Sequence, residues 1–322
     1  MQFTGKNGEF QIRHMVEKTQ LNFPVANEEG IKSSVTQTFG GDCKLDQNHF
    51  LLEPVSIENL HNNRSTRNVW CTINRKEHVS LTGVSAQAEY ARFLGKEEEV
   101  TFDAGFMWQE TKRELKEQKI EAAVRIFAPL GVPAELMQVR VTNKSDMDMC
   151  VRVTSAIPIY GRSADNLRDH RHVTSLLHRI RVTSNGVIVK PSLSFDERGH
   201  RENEMLYFAA ANGPDGALPI AIYPTAEMFL GEGGTFLNPE AVRSDKPGTP
   251  AGTPARKAAS SGVTSVSSPT WRRPTVSSPP TAPTPAPCRA ARTPGCGCGC
   301  RPPTTPRASS RGPGNWSRPP PA

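Results

Sequence analysis

The 322-residue sequence predicts an all-β fold, an antiparallel sandwich, followed by a disordered tail. Three observations carry that prediction. Short runs with alternating apolar and polar residues recur between turn-forming clusters. Amphipathic stretches of helical length are few. From residue 246 onward there is no Asp, Glu, Leu, Ile or Phe, and 18 of the 28 prolines fall there. A segment of that composition cannot bury enough apolar surface to offset the entropy of ordering it. The chain therefore divides into a β-rich domain, residues 1–245, and a Pro/Ser/Thr/Arg-rich tail, residues 246–322.

In chain order, the run EVTFDAGF at 99–106 is a strand with partial alternation, and IEAAVRIF at 120–127 is another, closed by Pro129. LMQVRV at 136–141 alternates clearly and runs into the turn-forming cluster TNKSD at 142–146. CVRVTSAI at 150–157 then returns, which predicts an antiparallel pair with the run before it. The runs 180–183 and 187–190 flank Ser184, Asn185 and Gly186, a hairpin in which Asn-Gly would supply positive φ. Two more strands are expected at 205–210 and 219–223. The clearest helix signal covers 165–178, with Leu167, His170, Thr174 and Leu177 at helical spacing. Strands at such short intervals indicate a sandwich.

The net charge of +7 misleads, because the tail holds 11 Lys and Arg and no acid. Residues 1–245 carry 28 basic and 32 acidic side chains, a net of −4. The folded part thus gives no footing for nucleic-acid binding. The first 20 residues lack the apolar stretch of a secretory signal, and no apolar run is long enough for a membrane helix. Cys43, Cys71 and Cys150 are scattered, without a CxxC spacing, and read as reduced thiols. Together these features predict a cytoplasmic protein without a membrane partner. In the tail, the alternating Gly-Cys run at 295–300 has no His or second cluster to make a zinc site. The tail reads as a native linker, as a basic surface-binding arm, or as a GC-rich gene translated out of frame; the abrupt switch inside a β domain fits the last best. No dinucleotide, P-loop or zinc-protease motif is present.

Three stretches hold more polar chemistry than a fold requires. They are 23–48, 60–70 (LHNNRSTRNVW) and 159–172 (IYGRSADNLRDHRH). Amides, carboxylates and guanidinium groups pair with vicinal hydroxyls, an aromatic face covers the apolar side of a sugar ring, and Arg holds phosphate through paired hydrogen bonds. The same residue types also build turns and tie long loops, so both readings stand for each stretch. His170, His172 and His178 have no Cys nearby to complete a metal set, and no metal is expected.

The runs FPVANEEGIKSSVT, GDCKLDQNHFLLEPVSIENLHNNRSTRNVW, IPIYGRSADNLRDHRHVTSLLHRI, VKPSLSFDERGH and FLGEGGTFLNPEAV resemble the amino-terminal domain of family-94 glycoside phosphorylases. That group is also known as glycosyltransferase family 36 or the cellobiose phosphorylase group, and the likeness looks nearest to its 1,2-β-oligoglucan branch. It covers residues 8–243. The resemblance implies a galactose-mutarotase-like β super-sandwich, then a helical linker and an (α/α)6 barrel. It implies attack of inorganic phosphate on a β-glucoside with inversion, giving a sugar 1-phosphate, with phosphate as co-substrate and no metal or organic cofactor. It further implies a β-linked glucan partner and homo-oligomers of the complete enzyme. The likeness stops before the barrel that holds the family's general acid, so no catalytic residue is expected in this sequence. In some relatives the sandwich lends a loop to an active site. By that resemblance the candidate substrate-binding residues are Arg162, Asn166, Arg168, Asp169, His170 and His172.

Overall fold

Period-two burial organises several of the strands. In the strand Glu99–Gly105, Val100, Phe102 and Ala104 are buried while the residues between them are not. The computed structural model describes residues 1–14, 22–55, 66–96, 98–164, 178–196, 199–244, 248 and 263–267. These lie in one unit, Met1–Pro274; the second unit, Thr275–Ala322, is outside the described residues.

Two large antiparallel sheets form the sandwich. The first contains β1 (Gln2–Phe3), β2 (Phe10–Arg13), β9 (Glu99–Gly105), β10 (Trp108–Leu115), β11 (Ile120–Phe127) and β12 (Leu136–Asn143), in the order β1-β2-β9-β10-β11-β12. The second contains β7 (Asn68–Ile73), β8 (Glu77–Ser80), β13 (Val151–Pro158), β19 (Ala221–Tyr223) and β20 (Val263–Ser267), in the order β19-β20-β13-β7-β8. A four-stranded meander, β3 (Asn22–Ala26), β4 (Lys32–Thr36), β5 (Cys43–Asp46) and β6 (His49–Leu52), packs beside them. A three-stranded sheet pairs β14 (Arg179–Val182) with β15 (Gly186–Lys190) and β18 (Tyr207–Ala210), and β16 (Leu193–Asp196) pairs with β17 (Gly199–Glu202). Helices are short: α1 (Ala86–Phe93), capped by Ser85, α2 (Ala226–Leu230), capped by Thr225, and α3 (Glu240–Arg243).

The main core lies between the two large sheets, where Val69, Cys71 and Ile73 of β7 meet Ile120, Ala122, Val124 and Ile126 of β11 and Val35 of β4. β7 is buried along its whole length because its other face is covered too: Trp70 packs with Phe229, Ala241 and Val242 of α2 and α3. Each of the Val, Ile and Phe side chains among these contributes roughly 1.5–3 kcal/mol by leaving water. A satellite core under the three-stranded sheet joins Ile159, Ile180, Val187, Val189, Tyr207 and Ile222.

The structure departs from the sequence reading in three places. β12 does not pair with β13; it is the edge of the first sheet, bonded to β11, whereas β13 lies in the second sheet between β7 and β20. The 142–150 segment is therefore a crossover between layers rather than a hairpin turn, held by Asn143 on the Met147 carbonyl and by the Cys150 amide on Asn74. The β14–β15 hairpin is present, but neither Asn185 nor Gly186 has positive φ. Gly186 is required by packing instead, since a Cβ there would lie 2.0 Å from the Ala209 carbonyl oxygen on β18. One strand lies beyond the boundary at residue 245: β20 fills the slot between β13 and β19. The rest of the expected tail, apart from Gly248, is outside the described residues, and so is the helix expected at 165–178 except for His178.

Candidate functional site

The third polar stretch begins where β13 ends. Its backbone runs antiparallel to β6: Tyr160 N–H donates to the Leu51 carbonyl (2.7 Å), Gly161 N–H to Phe50 (3.0 Å), and Phe50 N–H to Arg162 (3.0 Å). Ala164 N–H continues the zipper to Gln47 (3.1 Å). The bend needs glycine at 161, which has φ +65° and whose added Cβ would lie 3.3 Å from Pro191 and 3.5 Å from the Tyr207 ring. These bonds turn Arg162 inward.

Arg162 is 4% exposed. Its guanidinium lies 4.2 Å over the Tyr160 ring and its Nε donates to the Tyr160 carbonyl at 3.3 Å. The Tyr160 hydroxyl donates in turn to the Ser163 carbonyl at 3.1 Å. Burial pushes the Arg162 pKa down, and Tyr160 and the buried Glu53 carboxylate offset this only in part.

His178 sits at the other end of the 165–177 segment, just before β14, and is also buried. Burial, helped by the Arg162 charge, pushes its pKa down to about 4, so it is neutral at pH 7 and does not repel the guanidinium. Among the described residues neither of its ring nitrogens has a hydrogen-bond partner. The Tyr207 ring packs near Gly161, and burial raises the pKa of its hydroxyl. Arg162 and His178 thus anchor, beside one another, the two ends of the segment that holds the other candidates. Asn166, Arg168, Asp169, His170 and His172 themselves lie outside the described residues.

The second polar stretch resolves differently. Residues 56–65 are outside the described residues, but Arg67 is 1% exposed and committed to structure. It makes paired bonds to Glu135 (2.5 and 2.8 Å) and donates to the carbonyls of Phe39, Gly41 and Asp42. Ser33 of β4 donates to the same carboxylate at 2.5 Å. Cys43 in the first stretch and Cys71 on β7 are thiols pushed up to about 12 by burial, which makes them poor nucleophiles. Among the described residues no three His, Cys, Asp or Glu side chains converge to hold a metal, and no helix is long and apolar enough to cross a membrane.

Sequence reading did not single out Glu53 or the supporting role of Tyr160. Glu53 sits in a Leu-Leu-Glu-Pro run that looks like an ordinary strand end. The one available signal was an acid directly after the apolar β6. A separate cleft of about 470 Å³, lined by Trp70, His78, Asn238 and Arg243 among others, contains none of the candidates.

Residues 73–260, more than half of the chain, match the family model for the glycosyl hydrolase 94 supersandwich domain. The chain belongs to that family. No curated protein matches it. Antiparallel layers with few helices are what a supersandwich requires, and the match runs past residue 245 to within three residues of β20. It also takes in the Arg162 anchor, the 165–177 segment and His178.

Proposed function

We propose that this chain is the carbohydrate-binding supersandwich of an inverting β-glucan phosphorylase, nearest the 1,2-β-oligoglucan branch, and that by itself it turns over no glycoside. The observation that carries the proposal is the family match over residues 73–260. In the reaction, a phosphate oxygen bonds to the anomeric carbon as the glycosidic C–O bond breaks, and the leaving oxygen takes a proton from a carboxylic acid. Phosphate replaces the activated water of an inverting hydrolase and is already anionic, so no general base is needed. That acid belongs to a helical barrel outside this domain, and no metal or organic cofactor takes part. The supersandwich supplies the 165–177 segment. Asn166, Asp169, His170 and His172 pair with sugar hydroxyls, Arg168 with hydroxyl or phosphate oxygens, and Arg162 contributes to binding from the start of the same stretch. The protein works in the cytoplasm, and the complete enzyme is a homo-oligomer.

Calorimetric titration of the purified chain and its Arg168→Ala variant with short 1,2-β-gluco-oligosaccharides tests this, alongside an assay for sugar 1-phosphate. Binding without turnover, weakened in the variant, is the expected result. Absence of glucan binding, or formation of sugar 1-phosphate, would overturn it.

A second reading, a stand-alone carbohydrate-binding module, is favoured by β20, which closes the second sheet from within this chain. It predicts that a chain ending at Ser244 loses cooperative melting, because the facing edges of β13 and β19 are left unpaired. A phosphorylase domain that does not depend on β20 predicts little change.

A further inference from the structure

The outer face of the first sheet carries two adjacent cross-strand rows. Register places Gln11, Asp103, Glu110, Arg125 and Gln138 side by side across five strands. The next row along the same face is Gly105, Trp108, Phe127 and Leu136. A polar row beside an aromatic one is unlike the inward face of β10 and β11, where Gln109, Thr111, Val124 and Ile126 are fully buried.

The polar row is rigid and internally neutral. Arg125 Nε donates to Glu110 at 2.9 Å, and Lys112 bridges Glu110 (3.3 Å) and Asp103 (2.8 Å). Gln11 donates to Asp103 at 2.8 Å. The Arg125 guanidinium also lies 4.9 Å over the Trp108 ring, which fixes the indole. At the head of the aromatic row the β9–β10 turn holds Met107 at φ +59° and leaves Phe106 81% exposed. Opposite, Asn27 donates to the carbonyls of Pro129 and Val132, and Glu28 accepts from Gly131 N–H, pinning the loop that carries the exposed Leu130. Between these walls lies a groove of about 700 Å³. That is within the roughly 300–1,000 Å³ typical of small-molecule sites.

We propose that this groove is a second carbohydrate site, taking a neutral β-linked gluco-oligosaccharide with a ring face on the exposed Phe106, its edge against the Arg125-covered Trp108, and its hydroxyls on Gln138 and Arg125. The inference rests on the carbohydrate reading above and extends it to a surface remote in sequence from the 165–177 segment. The class follows from the lining. Aromatic faces suit the C–H faces of equatorially substituted sugars, planar amide and guanidinium edges suit hydroxyl pairs, and charges matched within the row offer nothing extra to an anion.

The test is calorimetric titration of the full chain with 1,2-β-glucotetraose and cellotetraose, with maltotetraose as an α-linked control. Phe106→Ala, Gln138→Ala and Trp108→Ala are compared with Arg168→Ala. Because Phe106 and Gln138 are exposed, their variants should melt as the parent does, which keeps the test valid even if Trp108→Ala misfolds. Support is a loss of about tenfold or more in β-glucan affinity for Phe106→Ala and Gln138→Ala, with maltotetraose unbound throughout. β-Glucan binding that is unchanged in those two variants but lost in Arg168→Ala overturns the groove and leaves the proposed function standing. A parent chain that binds no glucan overturns both. Self-association that Phe106→Ala abolishes, with glucan affinity unmoved, means that a second copy occupies the groove and overturns the sugar assignment.

Discussion

Arg67 and Arg162 stand in polar stretches that look alike in sequence, and both are buried to within a few per cent. Their surroundings differ. Burial alone would push the Arg67 pKa down, but Glu135 more than reverses it and the net shift is upward. At Arg162 burial prevails over Glu53 and Tyr160 and the net shift is downward. One guanidinium is enclosed by a bidentate carboxylate and three backbone carbonyls, an arrangement that ties β3–β6 and the Glu135 loop into one body. The other rests on an aromatic ring beside a neutral imidazole. A fully matched charge fixes structure. At Arg162 desolvation prevails and the guanidinium lies over the Tyr160 ring.

The largest effect that would sharpen this contrast is Arg67→Ala. It strands the Glu135 carboxylate and the three carbonyls, and should cost about 3–5 kcal/mol in urea unfolding. If it proves nearly neutral, the tie is not structural and the comparison breaks.

Acid should act through the other region. The folded pKa of His178, about 4, lies below the 6.5 of an unperturbed His. Its contribution is therefore fully present above pH 6.5 and is lost as pH falls from 6.5 toward 4, by up to about 3 kcal/mol. His178→Gln should flatten the stability profile between pH 7 and 4.5, and an unaltered slope would place the acid sensitivity elsewhere.

A smaller effect comes from the glycines beside each arginine. Gly161→Ala, at φ +65°, should cost about 1–2 kcal/mol in thermal or urea unfolding. Gly41→Ala should cost more, because φ is +111° and the new Cβ would sit 1.8 Å from the Ser34 carbonyl oxygen. Reversal of that order would show the Arg162 bend to be the stiffer of the two. The smallest effect is Tyr160→Phe. Loss of the bond to Ser163 should cost about 1 kcal/mol, while the ring under Arg162 remains. A double-mutant cycle that pairs Tyr160→Leu with Arg162→Met would then measure the ring contribution.

Strands whose inner face is apolar were legible from alternation: β9 and β11 to β13 fall within two residues of where the pattern puts them. β10 was not, although it is a central strand. Its inward face is Gln109, Thr111 and Arg113, each bonded to a backbone carbonyl of another segment, so its pattern of charges looks solvated until those partners are known. The same blindness applied to the site. The polar density of 159–172 singled out a candidate region, but it could not show that Arg162 is buried, because that depends on β6 lying alongside.

The sequence by itself determined the all-β class, the family and the place where the composition changes, since each of these is written in local pattern or in long runs of residues. Which strands share a sheet was decided only in three dimensions. The turn-rich 142–150 segment can close a hairpin or cross between layers, and the core formed by β7, β11 and β13 selects the crossing. Tertiary structure also decided which arginine is a tie and which an anchor. The propensity of a guanidinium is the same at 67 and 162; what differs is the set of acceptors that distant strands bring to it.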